Sequence, residues 1–220
     1  MSDVKPLEPA PQAVTDAESF AAIAGAGPES LRDLERYREL LAEWNEKMNL
    51  VGASTLDAFW SRHAWDSAQL LDLAPDAKVW ADLGAGAGLP GVVLAILRKS
   101  DLGFHVHLVE SMAKRCRFLQ VVVDELALSA TVHNARAEDL SLAVDIVTAR
   151  ACAPLHRLLG YAKPFLKQGA TGLFLKGQDV ASELEEATRF WDYEADVLPS
   201  RSDPRGRIVR VRRLGRARKA

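Results

Sequence analysis

Between Asp82 and Gly91 the chain reads DLGAGAGLPG, with four glycines in its last eight residues. Such a turn lets the backbone take positive φ and lets a ligand approach the main chain. It joins an apolar run, KVWADL, to a second one, VVLAIL, so it lies between a strand and a helix, where nucleotide-like ligands bind. Gly86-Ala87-Gly88-Leu89-Pro90-Gly91 matches the dinucleotide pattern G-x-G-x-x-G, but late: the strand ends near Leu83 and the turn begins at Gly84. In that earlier register Asp82 stands just before Gly84, Gly86 and Gly88. A carboxylate there repels a pyrophosphate and attracts a cation, which favours S-adenosylmethionine over NAD.

Glu110 closes the next apolar run, HVHLVE, 22 residues after Gly88. An acid at that strand end accepts hydrogen bonds from ribose hydroxyls, whichever nucleoside is bound. After the third strand comes NARAEDL, which sets Ala137 against an adenine and Glu138 or nearby backbone at its edge. Arg150 and Lys176 end two further strands at the same cleft, Arg150 within reach of cofactor, RNA or both. No His, Cys, Asp or Glu spacing suggests a metal site.

Strands and helices must position these groups. Leu31, Leu34, Tyr37, Leu41, Trp44 and Met48 recur at helical spacing, with Ser30 as a candidate cap. A second helix is expected over 55–73, ending before Pro75. From residue 78 short apolar runs alternate with helical segments at 90–99, 111–128, 154–164 and 179–190, which implies a parallel sheet covered on both faces. YEADVLP and GRIVRVRRL have no helix between them and read as an antiparallel pair at one sheet edge. The expected division is a flexible leader over 1–28, helices over 29–75 and an α/β domain over 76–220.

The composition of the 220 residues, 48% hydrophobic and 26% charged, is that of a soluble globular protein. No apolar run is long enough for a membrane span. The opening MSDVKPLEPAPQ lacks the pattern of a signal peptide. Two cysteines far apart, Cys116 and Cys152, fit a reducing compartment, so a cytoplasmic location is expected. The net charge of −2 hides an asymmetry. Residues 201–220 hold nine Lys/Arg against one Asp, leaving −10 on the remainder. Such a tail suggests a polyanionic partner.

In order along the chain, WNEKMNLVG, RHAWDS, DLGAGAGLPG, LVESMAKRCRFLQ, NARAED, TARA and FLKG resemble the bacterial small-subunit rRNA guanine-N7 methyltransferases, also called glucose-inhibited division protein B. The resemblance covers roughly residues 37–178. It implies a Rossmann-like methyltransferase fold with a mostly parallel seven-stranded sheet and extra N-terminal helices. It also implies methyl transfer from S-adenosylmethionine to N7 of a guanine in 16S rRNA, free or in the small subunit particle. By motif, the family's cofactor pocket falls on Gly84, Leu89, Ala137, Glu138 and Arg150. With that context Arg62 and His63 become RNA contacts. Lys114 and Arg115 open a helix, where cations oppose the dipole and a phosphate would offset the cost. Lys176 joins them. Guanine N7 carries a lone pair and no proton, so no general base is needed and none is assigned. A monomer is expected.

Overall fold

The computed structural model describes residues 13–217. Asp16 and Ser19 form a capping box at the start of helix α1 (Ala17–Ala24). The Ser19 amide donates to Asp16 Oδ1 at 2.8 Å, and the Asp16 amide donates to Ser19 Oγ at 3.1 Å. Phe20 is buried, 5.4 Å between ring centroids from Trp60. Part of the expected leader is thus a capped helix; its first twelve residues lie outside the described ones.

Helix α2 (Pro28–Met48) starts at Gly27, not at Ser30. Proline fixes φ near the helical value and lacks the amide that a first turn leaves unpaired, so Pro28 sets the boundary. Leu34, Tyr37, Leu40 and Leu41 form its buried stripe, as the spacing predicts. The helix expected over 55–73 is broken. It comprises α3 (Ala53–Leu56), a π-helical segment (Trp60–Trp65), α4 (Asp66–Ala68) and a 3-10 turn (Leu71–Leu73). At the break, Arg150 from a distant strand donates to the Arg62 carbonyl, and the neighbouring Ser67 Oγ donates to the His63 carbonyl.

Then strands alternate with helices: β1 (Val79–Leu83), α5 (Gly91–Leu97), β2 (His105–Glu110), α6 (Ala113–Glu125) and β3 (Ala130–Asn134). A 3-10 turn (Ala137–Asp139) leads to β4 (Ile146–Arg150), α7 (Leu155–Leu166), β5 (Thr171–Lys176) and α8 (Val180–Thr188). β6 (Trp191–Pro199) and β7 (Arg207–Arg216) complete one seven-stranded sheet, in the order β3-β2-β1-β4-β5-β7-β6. Strands β1 to β5 are parallel; β7 runs antiparallel to both β5 and β6. The strand order reverses between β1 and β4, the crevice where open α/β sheets bind ligands. One core, holding Trp80, Phe118 and Tyr37, joins the sheet to α2, α5 and α6. A second, holding Phe165 and Phe174, lies under α7 and α8.

The arginine-rich end is mostly strand, and much of its charge is compensated. Arg210 and Arg212 pair with Asp196, and Arg213 pairs with Asp192 at 3.1 Å. Cross-strand pairing between β6 and β7 brings these opposite charges together.

Candidate cofactor site

The glycine turn leaves β1 with positive φ at Gly84 (66°), Gly86 (52°) and Gly88 (88°). A Cβ on Gly84 would stand 2.5 Å from Cys152 Sγ, whereas one on Gly86 would meet nothing nearer than 3.5 Å. The turn is held from three sides. The Gly86 amide donates to Glu110 Oε2 at 3.1 Å, and the Gly91 amide donates to Asp82 Oδ2 at 2.9 Å. From α2, the buried Tyr37 hydroxyl donates to the Ala87 carbonyl at 2.5 Å.

Asp82 is wholly buried beneath the turn and does not line the cavity above it. This corrects the expectation that it faces a cationic ligand directly: it fixes the start of α5 through Gly91. Its Oδ1 is buried without a hydrogen-bond partner, and burial pushes its carboxyl up to about 7. Glu110 is buried as well, with Oε1 accepting from the Met112 amide at 2.8 Å and Oε2 lying 3.8 Å from Arg115. Both acids therefore hold backbone amides of the turn region.

Above the turn opens a cavity of about 1020 Å³. Gly84, Gly86 and Leu89 line its floor, and Arg150 and Cys152 line its side. Ala137 and Glu138 sit on the 3-10 turn after β3, outside that lining, with Glu138 3.7 Å from Arg136. Burial pushes the Cys152 thiol up to about 11, so it stays protonated. It is half-buried on the cavity wall.

Arg150 fastens β4 to the π-helical segment. Its Nη1 donates to the Arg62 carbonyl at 2.8 Å and lies 3.3 Å from Asp66 Oδ2. Its Nη2 lies 3.1 Å from His63 Nδ1. Nδ1 also lies 3.0 Å from the Arg62 carbonyl, so this ring nitrogen faces a donor and an acceptor at once. Nε2 lies 3.1 Å from Thr55 Oγ1, and the Thr55 hydroxyl donates to the Gly52 carbonyl at 2.6 Å. Burial, reinforced by the Arg150 charge, pulls His63 down to about 4 and keeps it neutral.

The expected RNA contacts fall into two groups. Arg62 and Arg115 line the cavity, half exposed, with Arg62 3.1 Å from Asp203. His63 lines the cavity as well, but it is only 4% exposed and is engaged by Arg150 and Thr55. Lys176 lines it too, with its Nζ 2.6 Å from Glu183 and 2.9 Å from the Ala153 carbonyl. Lys114 donates to the Lys47 carbonyl at 3.1 Å and does not line the cavity. The sequence marked the basic segment from residue 201 on for a polyanion but not as a wall of this cavity. The loop between β6 and β7 brings Ser200, Ser202, Asp203, Arg205 and Arg207 to the cavity. Gln69 anchors it through Ser200, Ser202 and the Arg201 amide. Ser202 Oγ reaches Asp66 at 2.6 Å.

Known proteins share the sequence and the fold of this chain. Residues 30–200 match the family model described as rRNA small subunit methyltransferase G. A protein of that name from Caulobacter vibrioides (strain NA1000 / CB15N) is 64% identical over 95% of this chain and 97% of its own. One from Bradyrhizobium sp. (strain BTAi1 / ATCC BAA-1182) is 48% identical over 89% and 90%. Among solved structures, cofactor-bound Rv0187 from MTB covers 94% of this chain and 99% of its own, with a TM-score of 0.59 at 16% identity. Magnesium protoporphyrin IX methyltransferase from Synechocystis with bound SAM covers 80% and 97%, at a TM-score of 0.53 and 12% identity. At such identities those two show the fold alone. The match over most of the length and the close relatives carry the assignment: the chain belongs to the rRNA small subunit methyltransferase G family.

Proposed function

We propose that this protein transfers a methyl group from S-adenosylmethionine to N7 of a guanine in 16S ribosomal RNA. The name of relatives as much as 64% identical supports the reaction class and the RNA. One observation in the fold carries the reading further. The glycine turn and the arginines of two separate elements, Arg62 and Arg207, open into one cavity, so cofactor and RNA base share a mouth.

The residues present fit the cofactor. The volume of 1020 Å³ reaches the upper end of the range for small-molecule sites and leaves room for a base beside a nucleoside. Gly86 leaves open backbone where a side chain would intrude. When bound, S-adenosylmethionine supplies an electrophilic methyl group on a sulfonium. Gly84, Gly86 and Leu89 would hold its amino-acid end, with Arg150 beside them. Ala137 and Glu138, on the 3-10 turn beyond the cavity lining, would flank its nucleoside end, and the buried Glu110 would hold the Gly86 amide of the turn in place beneath it.

The chain need not move a proton, because guanine N7 attacks through a lone pair. The neutral His63, with both ring nitrogens engaged, is a positioning residue that holds Arg150. The work left to the protein is to orient the base, align it with the methyl group and exclude water. Arg62 and Arg115, joined by Arg205 and Arg207, supply cations for the RNA backbone. No helix among the described residues is long and apolar enough to cross a membrane. The reading includes a cytoplasmic monomer.

Methyl-labelled S-adenosylmethionine incubated with the protein and RNA from cells lacking its gene tests the reading. Label should enter small-subunit RNA. Label confined to protein, to large-subunit RNA or to a small molecule overturns the substrate.

A further inference from the structure

At the other end of the sheet from the cavity, Lys163, Lys167, Trp191, Leu214, Gly215 and Arg216 line a cleft of about 200 Å³. Trp191 pairs with Arg216 at one end of the β6–β7 ribbon; Pro199 pairs with Arg207 at the other, where Arg207 lines the cavity. Nine residues of strand separate Arg207 from Arg216, or about 30 Å at ~3.3 Å each.

Three cations converge there from two elements far apart in sequence. Lys163 and Lys167 belong to the last turn and C-cap of α7, and Arg216 ends β7. Among the described residues none of the three has a carboxylate within ion-pair distance. The rest of the ribbon differs. Asp192, Glu194 and Asp196 project from the opposite pleat of β6 and pair with Arg210, Arg212 and Arg213. Trp191 and Leu214 share the uncompensated face, packed on the core under α7. Cations at a helix C-terminus are favoured by the dipole, which accounts for the two lysines. It does not account for Arg216, brought beside them from another element. Trp191 lies on α7, its ring 3.6 Å from where a Cβ of Gly160 would stand, and its indole nitrogen donates to the His156 carbonyl at 2.7 Å. That fixes an aromatic wall between the charges.

We propose that this cleft seats a backbone phosphate of the RNA whose guanine enters the cavity, a docking point about 30 Å from the reacting base. The proposal rests on the reading of the protein as an RNA methyltransferase. A cleft of 200 Å³ is below the usual size of a small-molecule site, so it suits one phosphate of a longer polymer and not a second cofactor. A folded RNA reaches cavity and cleft together; a free nucleotide reaches one. Fixed cations that neutralise phosphates add affinity without sequence preference.

The test compares wild-type protein with Lys163→Glu/Arg216→Glu, using 16S RNA from cells lacking the gene. KM for the RNA should rise ~10-fold or more, and the slope of log affinity against log salt should fall by roughly 0.7–0.9 per lost contact. The Kd for S-adenosylmethionine should not change. The milder Lys163→Gln/Arg216→Gln should show the same direction with an unchanged melting temperature, which separates docking from folding. Equal KM and equal salt slope in variants and wild type overturn the proposal. Wild-type protein that binds the RNA with the larger slope yet transfers no label removes the functional reading and leaves the docking face standing.

Discussion

Tyr37 donates its buried hydroxyl to the Ala87 carbonyl at 2.5 Å, tying the N-terminal helix to the middle of the glycine turn 50 residues later. The contact makes α2 part of the cofactor site. Tyr37→Phe keeps the ring and leaves a buried carbonyl without its donor, a loss of about 1–3 kcal/mol. Part of that loss should appear as several-fold weaker S-adenosylmethionine binding by calorimetry. Wild-type affinity in the variant means that the turn keeps its shape without α2.

Gly84 shapes the site by what lies beneath it. A methyl group there would sit 2.5 Å from Cys152 Sγ, at a φ of 66° that side chains avoid. Gly84→Ala should weaken cofactor binding ~10-fold or more. Adding Cys152→Gly should restore part of it, because the sulfur clash goes while about 1–2 kcal/mol of backbone strain stays. Full rescue would show that φ does not matter; no rescue would show that the sulfur does not.

The buried Asp82 makes stability depend on pH. Its carboxyl is raised to about 7, against about 3.9 in an unfolded chain. The folded state therefore holds a proton that the unfolded chain releases. Its stabilising effect is full below pH ~4 and is lost as pH rises through 7, by at most about 4 kcal/mol. Asp82→Asn keeps an acceptor for the Gly91 amide and does not ionise. Relative to that variant, the wild type should lose stability between pH 4 and 7 in denaturant titrations. His63, lowered to about 4, acts with the opposite sign but is common to both proteins and cancels. A difference independent of pH contradicts the account.

Arg150 joins the Arg62 carbonyl, Asp66 and His63 through two nitrogens of one planar group. A lysine has three donors on one tetrahedral nitrogen and lacks the planar fork that sets two nitrogens against separate partners. Arg150→Lys should lower kcat/KM by ~10-fold or more, with about 1–3 kcal/mol lost in stability. Thr55→Val, which strips His63 Nε2 of its partner, should move both quantities the same way by less. Wild-type kinetics in Arg150→Lys would remove the residue from the site.

The sheet was legible because its signals are local. Short apolar runs such as HVHLVE, closed by glycine or acid, give strands, and the 3.6-residue recurrence from Leu34 to Leu41 gives α2. The glycine turn was legible because positive φ restricts residue type. What the chain hides depends on distant partners. The π-helical segment over Trp60–Trp65 forms where Arg150, 88 residues away, takes the Arg62 carbonyl. The 200–206 loop becomes a cavity wall because Gln69 binds it across more than 130 residues. Residue type alone did not tell the half-exposed Arg62 from the buried side chain of Lys176; each pairs with a carboxylate, Asp203 or Glu183, and burial separates them.

The central claim is the atom that receives the methyl group. 16S RNA from cells lacking the gene, labelled by the protein and then treated with borohydride and aniline, reports it directly, because an N7-methylated guanine marks the point of chain scission. The account predicts cleavage at one guanine of the small-subunit RNA, with the labelled methyl on that base. Label in RNA that resists scission, or that sits on another atom or nucleotide, contradicts it.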